Sequence, residues 1–122
     1  MKVSEEVFKF YGAAYTNSTA GTPKADKRFR STFGTTPFIC ELVYEKIVDN
    51  IKAVHPSFGP YHLLWGLLFL KNYSNEAMLA SKVGCSEKTF RKWYHIVVLN
   101  IALITANVVC YYSFYLIFYY CK

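Results

Sequence analysis

The chain has 122 residues, of which 53% are hydrophobic and 18% charged, and this composition excludes a wholly disordered protein. The length is enough for one small domain with a modest core. A total of 14 Lys and Arg against 8 Asp and Glu gives a formal net charge of +6, which favours a polyanionic partner, such as nucleic acid or an anionic membrane surface. An inert basic surface is the alternative.

Residues 1–31 are predicted to form a flexible basic arm. The segment "TNSTAGTPKADKRFR" is rich in Ser, Thr, Gly and Pro, becomes basic towards its end and lacks a sustained apolar period. A short helix over residues 5–11 is an alternative for part of it. The first residues, "MKVSEEVFKFYGAAY", contain two glutamates and no apolar block, so we do not expect a signal peptide.

Residues 32–98 are predicted to form a small helical bundle. A first helix should begin with Thr36 as its cap and Pro37 in its first turn, continue with apolar residues at 3.6-residue spacing, and end before Pro56. The following segment, "YHLLWGLLFLKNY", is apolar nearly all round, so we place it at the centre of the bundle. Its Gly66 would allow a neighbouring helix to pack close.

A helix-turn-helix is predicted at about residues 74–98. Ser74 or Asn75 should cap a short helix, "EAMLASKV", which Gly84 should end because glycine tolerates a positive φ. Ser86 should then cap a second helix, "EKTFRKWYHIVVLNIALI". The pattern is that of a module whose second helix enters the major groove of DNA.

The second helix of this pair has an apolar and a polar face. Phe90 and Trp93, three residues apart, should pack inward as core residues. The polar residues near its start are Ser86, Glu87, Lys88, Arg91 and Lys92. Lys and Arg side chains here could contact phosphates or guanine edges. The alternative is an ordinary buried helix pair whose charged face is solvated.

The C-terminal tail, residues 99–122, is predicted to form a long apolar helix. Residues 96–121 are 26 positions without a charged side chain, more than the roughly 20 that span a bilayer. One interpretation is therefore a transmembrane helix that leaves the N-terminal domain cytosolic, since basic residues precede it. Asn100, Thr105 and Asn107 oppose insertion, and a tail folded onto the bundle is the alternative.

Neither a catalytic nor a metal site is expected. The four cysteines do not form a C-x-x-C pair, and the three histidines do not stand at metal-ligand spacing with them. His62 is expected to satisfy a backbone carbonyl and His95 to be a partly exposed helix residue. We therefore expect reduced thiols, no cofactor and no small-molecule substrate.

Three blocks in this order resemble the N-terminal region of Harbinger/PIF-like DDE transposases: "FRSTFGTTP", "HLLWGLLFLK" and "VGCSEKTFRKW". The resemblance covers residues 28–102, over half of the chain. It implies a helical DNA-binding module that recognises the ends of the mobile element. By the match to "CSEKTFRKW", the DNA-contacting role falls on Ser86, Lys88, Thr89, Arg91 and Lys92.

The family continues into a catalytic domain that holds divalent metal ions with three carboxylates. The last acidic residue of this sequence is Glu87, within the motif itself. We therefore expect an all-α DNA-binding remnant without catalytic activity of its own, nuclear or cytoplasmic. The alternative function is a small tail-anchored membrane protein with a cytosolic N-terminus, and a product without a selected function is a third interpretation.

Overall fold

The structure is a computed structural model that describes residues 3–72 and 75–120, with side chains described as far as residue 104. Within these ranges the chain forms α-helices and no strand, so the predicted all-α fold is confirmed. The helices are α1 (Glu5–Tyr15), α2 (Pro23–Phe33), α3 (Pro37–Val54), α4 (Pro60–Asn72), α5 (Glu76–Val83) and α6 (Glu87–Tyr120).

Two helices begin with the same Thr-Pro start. The hydroxyl of Thr36 accepts a hydrogen bond from the Ile39 amide at 3.4 Å, and the hydroxyl of Thr22 accepts one from the Ala25 amide at 3.2 Å. Each bond satisfies an amide that the first helical turn would leave without a partner. The predicted start of α3 is confirmed, and so is its end ahead of Pro56.

The prediction of a flexible arm over residues 1–31 is wrong for the part that the structure describes. This segment contains α1 and most of α2, which pack on each other and on the rest of the bundle. Phe8, Phe29 and Phe33 are buried in the common core. A Cβ added at Gly12 would lie 2.2 Å from the Phe29 ring, so glycine lets the two helices meet. Burial of these aromatic residues orders the segment.

Helix α4 lies at the centre of the bundle, as predicted, and contacts the other five helices. Its buried residues surround the helix axis and comprise His62, Leu63, Leu64, Trp65, Gly66 and Leu68. The close packing predicted at Gly66 is also confirmed, because a Cβ there would lie 2.4 Å from Cγ1 of Val97 on α6. This approach holds α6 against the centre of the bundle.

Helix α6 continues without a break through the predicted domain boundary at residue 99, because residues 87–120 contain neither Gly nor Pro. Up to residue 104, Ile101 and Ile104 pack against the core, whereas Leu99 and Leu103 are exposed. The remaining side chains of the predicted apolar tail lie outside the described residues. Over the described part of the chain, none of the helices combines the length and the hydropathy that a membrane span needs.

Candidate nucleic-acid interface

A three-residue turn joins α5 to α6. Gly84 adopts the left-handed conformation with φ of 80°, and its position is open, so the backbone conformation alone favours glycine there. The Ser86 hydroxyl accepts a hydrogen bond from the Thr89 amide at 3.2 Å and so caps α6, as predicted. Asn75 caps α5 through a bond of 2.8 Å from the Ala77 amide to its side chain. Ser74, the other predicted cap, lies outside the described residues.

The inner face of α6 is built of aromatic residues, and the predicted core positions of Phe90 and Trp93 are confirmed. Phe90 is 0% exposed and Trp93 is also buried. Tyr94 belongs to the same face and stacks on Phe69 of α4, with ring centroids 3.9 Å apart. These contacts leave the opposite face of α6 as its exposed surface.

The five residues predicted to contact DNA are all exposed and lie together in the turn and the first turns of α6: Ser86, Lys88, Thr89, Arg91 and Lys92. The fold thus brings the predicted set to one surface, which we call the α6 face. The side chains of this set differ in what already engages them, and this difference decides what each one can offer to a ligand.

The two hydroxyl groups of the α6 face bind each other. Ser86 donates to the Thr89 hydroxyl oxygen at 2.8 Å while accepting from the Thr89 amide. The Ser86 proton is therefore committed to the cap, whereas the Thr89 hydroxyl keeps its own proton for an external acceptor. Of the pair, Thr89 is the better placed donor to a phosphate oxygen.

Arg91 is engaged in a network that links α5 to α6. Its guanidinium binds the Glu76 carboxylate at 2.7 Å and the Glu87 carboxylate at 3.3 Å, and the Tyr94 hydroxyl donates to Glu76 as well. The hydrogen bonds from Tyr94 and Arg91 lower the pKa of Glu76, and Glu76 in turn raises the pKa of Arg91. Arg91 therefore helps to fix α6 on α5.

Sequence reasoning missed Glu76. The i, i+4 spacing of Glu87 and Arg91 is a signal that could have indicated their ion pair. The approach of Glu76 to Arg91 has no such signal, because the two residues are 15 positions apart and meet only through the turn.

The two lysines of the α6 face have different surroundings. Among the residues that the structure describes, Lys88 forms no ion pair with a carboxylate, so its charge is available to an external anion. The Lys92 ammonium lies 5.0 Å from the centre of the Trp93 ring, at the distance of a cation–π contact. A phosphate could therefore bind Lys88 without displacing an existing contact of the kind that engages Arg91 and Lys92.

His62 lies behind Trp93 and is 4% exposed. Its Nδ1 accepts a hydrogen bond from the Gly59 amide at 2.9 Å, so the backbone group at this nitrogen is an amide and not the predicted carbonyl. The ring stacks on Trp93 with centroids 3.8 Å apart. Burial, and secondarily the charge of Lys92, lower the pKa of His62 to about 4, so the ring is neutral at pH 7. His62 is therefore a structural support of the α6 face.

The thiols and acidic groups do not assemble into a metal site within the described residues, where no cluster of three His, Cys, Asp or Glu side chains occurs. Burial raises the pKa of the Cys40 thiol to about 12 and also raises that of Cys85, so both stay protonated at neutral pH. The side chains of Cys110 and Cys121 lie outside the described residues.

Comparison with models of protein families, with curated proteins and with solved structures finds no match to this chain. The resemblance to Harbinger/PIF-like transposases therefore stays a prediction, and the chemistry of the α6 face has to carry any functional argument.

Proposed function

We propose that this protein binds duplex DNA through the α6 face, as a helix-turn-helix module related to Harbinger/PIF-like transposases and without catalytic activity of its own. One observation carries the proposal. A three-residue turn with a left-handed Gly84 leads into a helix whose aromatic face is buried and whose first turns expose Lys88, Thr89, Arg91 and Lys92. A helix presented in this way has the form that enters a major groove.

The proposed contacts follow from what engages each side chain. Lys88 supplies a phosphate contact, because its charge is not balanced within the described structure. Thr89 donates its hydroxyl proton to a phosphate oxygen. Arg91 has to exchange a carboxylate for a DNA group, so its direct contribution to affinity is smaller than that of an unpaired arginine. Its main role is to set the orientation of α6.

The test measures DNA affinity as a function of salt concentration. Each phosphate contact contributes about 0.9 to the slope of log K against log salt, so Lys88→Ala should reduce the slope by about that amount. Lys52→Ala is the matched control, because Lys52 is an exposed lysine on α3, outside the α6 face. The two variants lose the same charge, and only the position differs.

A specific reduction with Lys88→Ala would support the proposal. Equal slopes for the wild type and both variants would contradict the assignment of the α6 face, and equal losses with both variants would indicate a diffuse effect of net charge. The tail-anchored alternative depends mainly on side chains after residue 104, which lie outside the described residues, and no observation favours it as a second function.

A further inference from the structure

A second basic surface lies away from α6, between the middle of α2 and the C-terminal end of α4. It is an open groove of about 530 Å³, lined by Asp26, Lys27, Arg30, Ser31 and Lys71. We call it the α2–α4 groove. All five of its side chains are exposed. The sequence gives no local signal for the groove, since Lys71 lies 40 residues from Ser31, the nearest groove residue on α2.

The two walls of the groove are held together by contacts at their ends. The Asn72 side chain, at the end of α4, donates to the Thr32 carbonyl of α2 at 3.4 Å. A second bond of 2.8 Å, to the Leu68 carbonyl of its own helix, fixes the orientation of this side chain. Gly34 ends α2 in the left-handed conformation, and a Cβ there would lie 3.4 Å from Cδ of Lys71. The stem of Lys71 therefore packs over the end of α2, and Lys71 lines the same groove as Lys27 and Arg30.

The cations of the groove keep their charge for an external partner. Elsewhere in the bundle, Lys9 pairs with Glu5 and Glu6, and Arg91 pairs with Glu76 and Glu87. Within the described residues, by contrast, no ion pair forms at Lys27, Arg30 or Lys71. Asp26 is the single carboxylate among the groove's five residues. Three cations and one anion leave a net positive groove, and the Ser31 hydroxyl adds a donor.

The shape and lining of the groove select a class of ligand. Sites for small molecules are enclosed and commonly contain aromatic side chains, whereas this groove is open and none of its five residues is aromatic. A lipid surface would favour apolar residues beside the cations, and the exposed Phe10, Phe38 and Val54 are not among the groove residues. An open cationic track with a hydroxyl donor fits the phosphates of an extended polyanion.

We propose that the α2–α4 groove binds the phosphate backbone of nucleic acid as a second site, separate from the α6 face. The choice of nucleic acid as the polyanion rests on the proposed function, whereas the groove and its charge do not. Contacts of this kind add affinity without sequence discrimination.

The test compares three double variants that each remove two lysines. They are Lys27→Ala/Lys71→Ala in the groove, Lys88→Ala/Lys92→Ala in the α6 face, and Lys46→Ala/Lys52→Ala on α3 as the matched control. Binding of the full chain to a random-sequence duplex is titrated against salt. The groove variant should lower the slope of log K against log salt by about two, and the control should leave it unchanged.

The outcomes separate the two proposals. A lower salt slope in the groove variant alone would support DNA binding by the groove and contradict DNA binding by the α6 face. A lower salt slope in the α6 variant alone, or equal salt slopes in the groove and control variants, would overturn the groove proposal. Asp26→Asn should raise affinity several-fold by removing the carboxylate, and an unchanged or lower affinity would count against the groove. Tight binding to anionic phosphatidylserine vesicles that the groove variant abolishes, with its DNA affinity unchanged, would also overturn the proposal.

Discussion

Replacing Gly66 with Ala tests whether close helix packing positions the α6 face. The added Cβ would lie 2.4 Å from Cγ1 and 2.8 Å from Cβ of Val97, whereas carbon atoms in contact are normally about 3.5–4.0 Å apart. Val97 is 0% exposed and β-branched in a helix, so its side chain has little freedom to move aside. The two helices must therefore separate.

The magnitude follows from two opposing terms. Overpacking of a buried site costs about 1–3 kcal/mol, and contacts this short place Gly66→Ala near the upper end. The higher helix propensity of alanine offsets about 1 kcal/mol. We expect a net loss of about 2 kcal/mol in the free energy of unfolding, measured by urea denaturation followed by circular dichroism.

A double-mutant cycle with Val97→Ala identifies the cause. Val97→Ala removes the nearer clashing atom, so the loss caused by Gly66→Ala should be smaller in that background. If Gly66→Ala is as stable as the wild type, or if the two losses simply add, the close-packing argument is refuted.

Two further predictions concern the supports of the α6 face. The pKa of His62 falls from 6.5 to about 4 on folding, so the unfolded chain takes up a proton at this ring before the folded chain does. The contribution of neutral His62 to the free energy of unfolding is therefore fully present above pH 6.5. It is lost as the pH falls from 6.5 towards 4, by up to about 3 kcal/mol. The free energy of unfolding in urea should fall less between pH 7 and pH 4.5 for His62→Gln than for the wild type. An equal fall in both proteins would exclude His62 as the cause of the pH dependence. Glu76→Gln should lower the melting temperature and leave Glu87 as the one remaining carboxylate of the pair on Arg91, so the salt slope of DNA binding should become steeper by up to about one. An unchanged slope would mean that Glu76 does not restrain Arg91.

Local signals were enough to predict where α3 and α6 begin and where α5 ends. The Thr36 cap, the left-handed Gly84 and the Ser86 cap act within three or four residues, so their patterns are visible in the sequence. The inward placement of Phe90 and Trp93 follows from helical periodicity. The exposure of the predicted DNA-contacting set follows from the same periodicity, whereas its contact with DNA stays a prediction.

Tertiary structure decided the features that depend on contacts between distant residues. The order of α1 and α2 comes from Phe8 and Phe29, which gain their burial only from the rest of the bundle. The pairing of Glu76 with Arg91 across the turn and the meeting of Lys71 with α2 likewise follow from helix packing. Sequence periodicity defines which face of a helix is polar, but only packing decides which charges are neutralised there and which remain available to a partner.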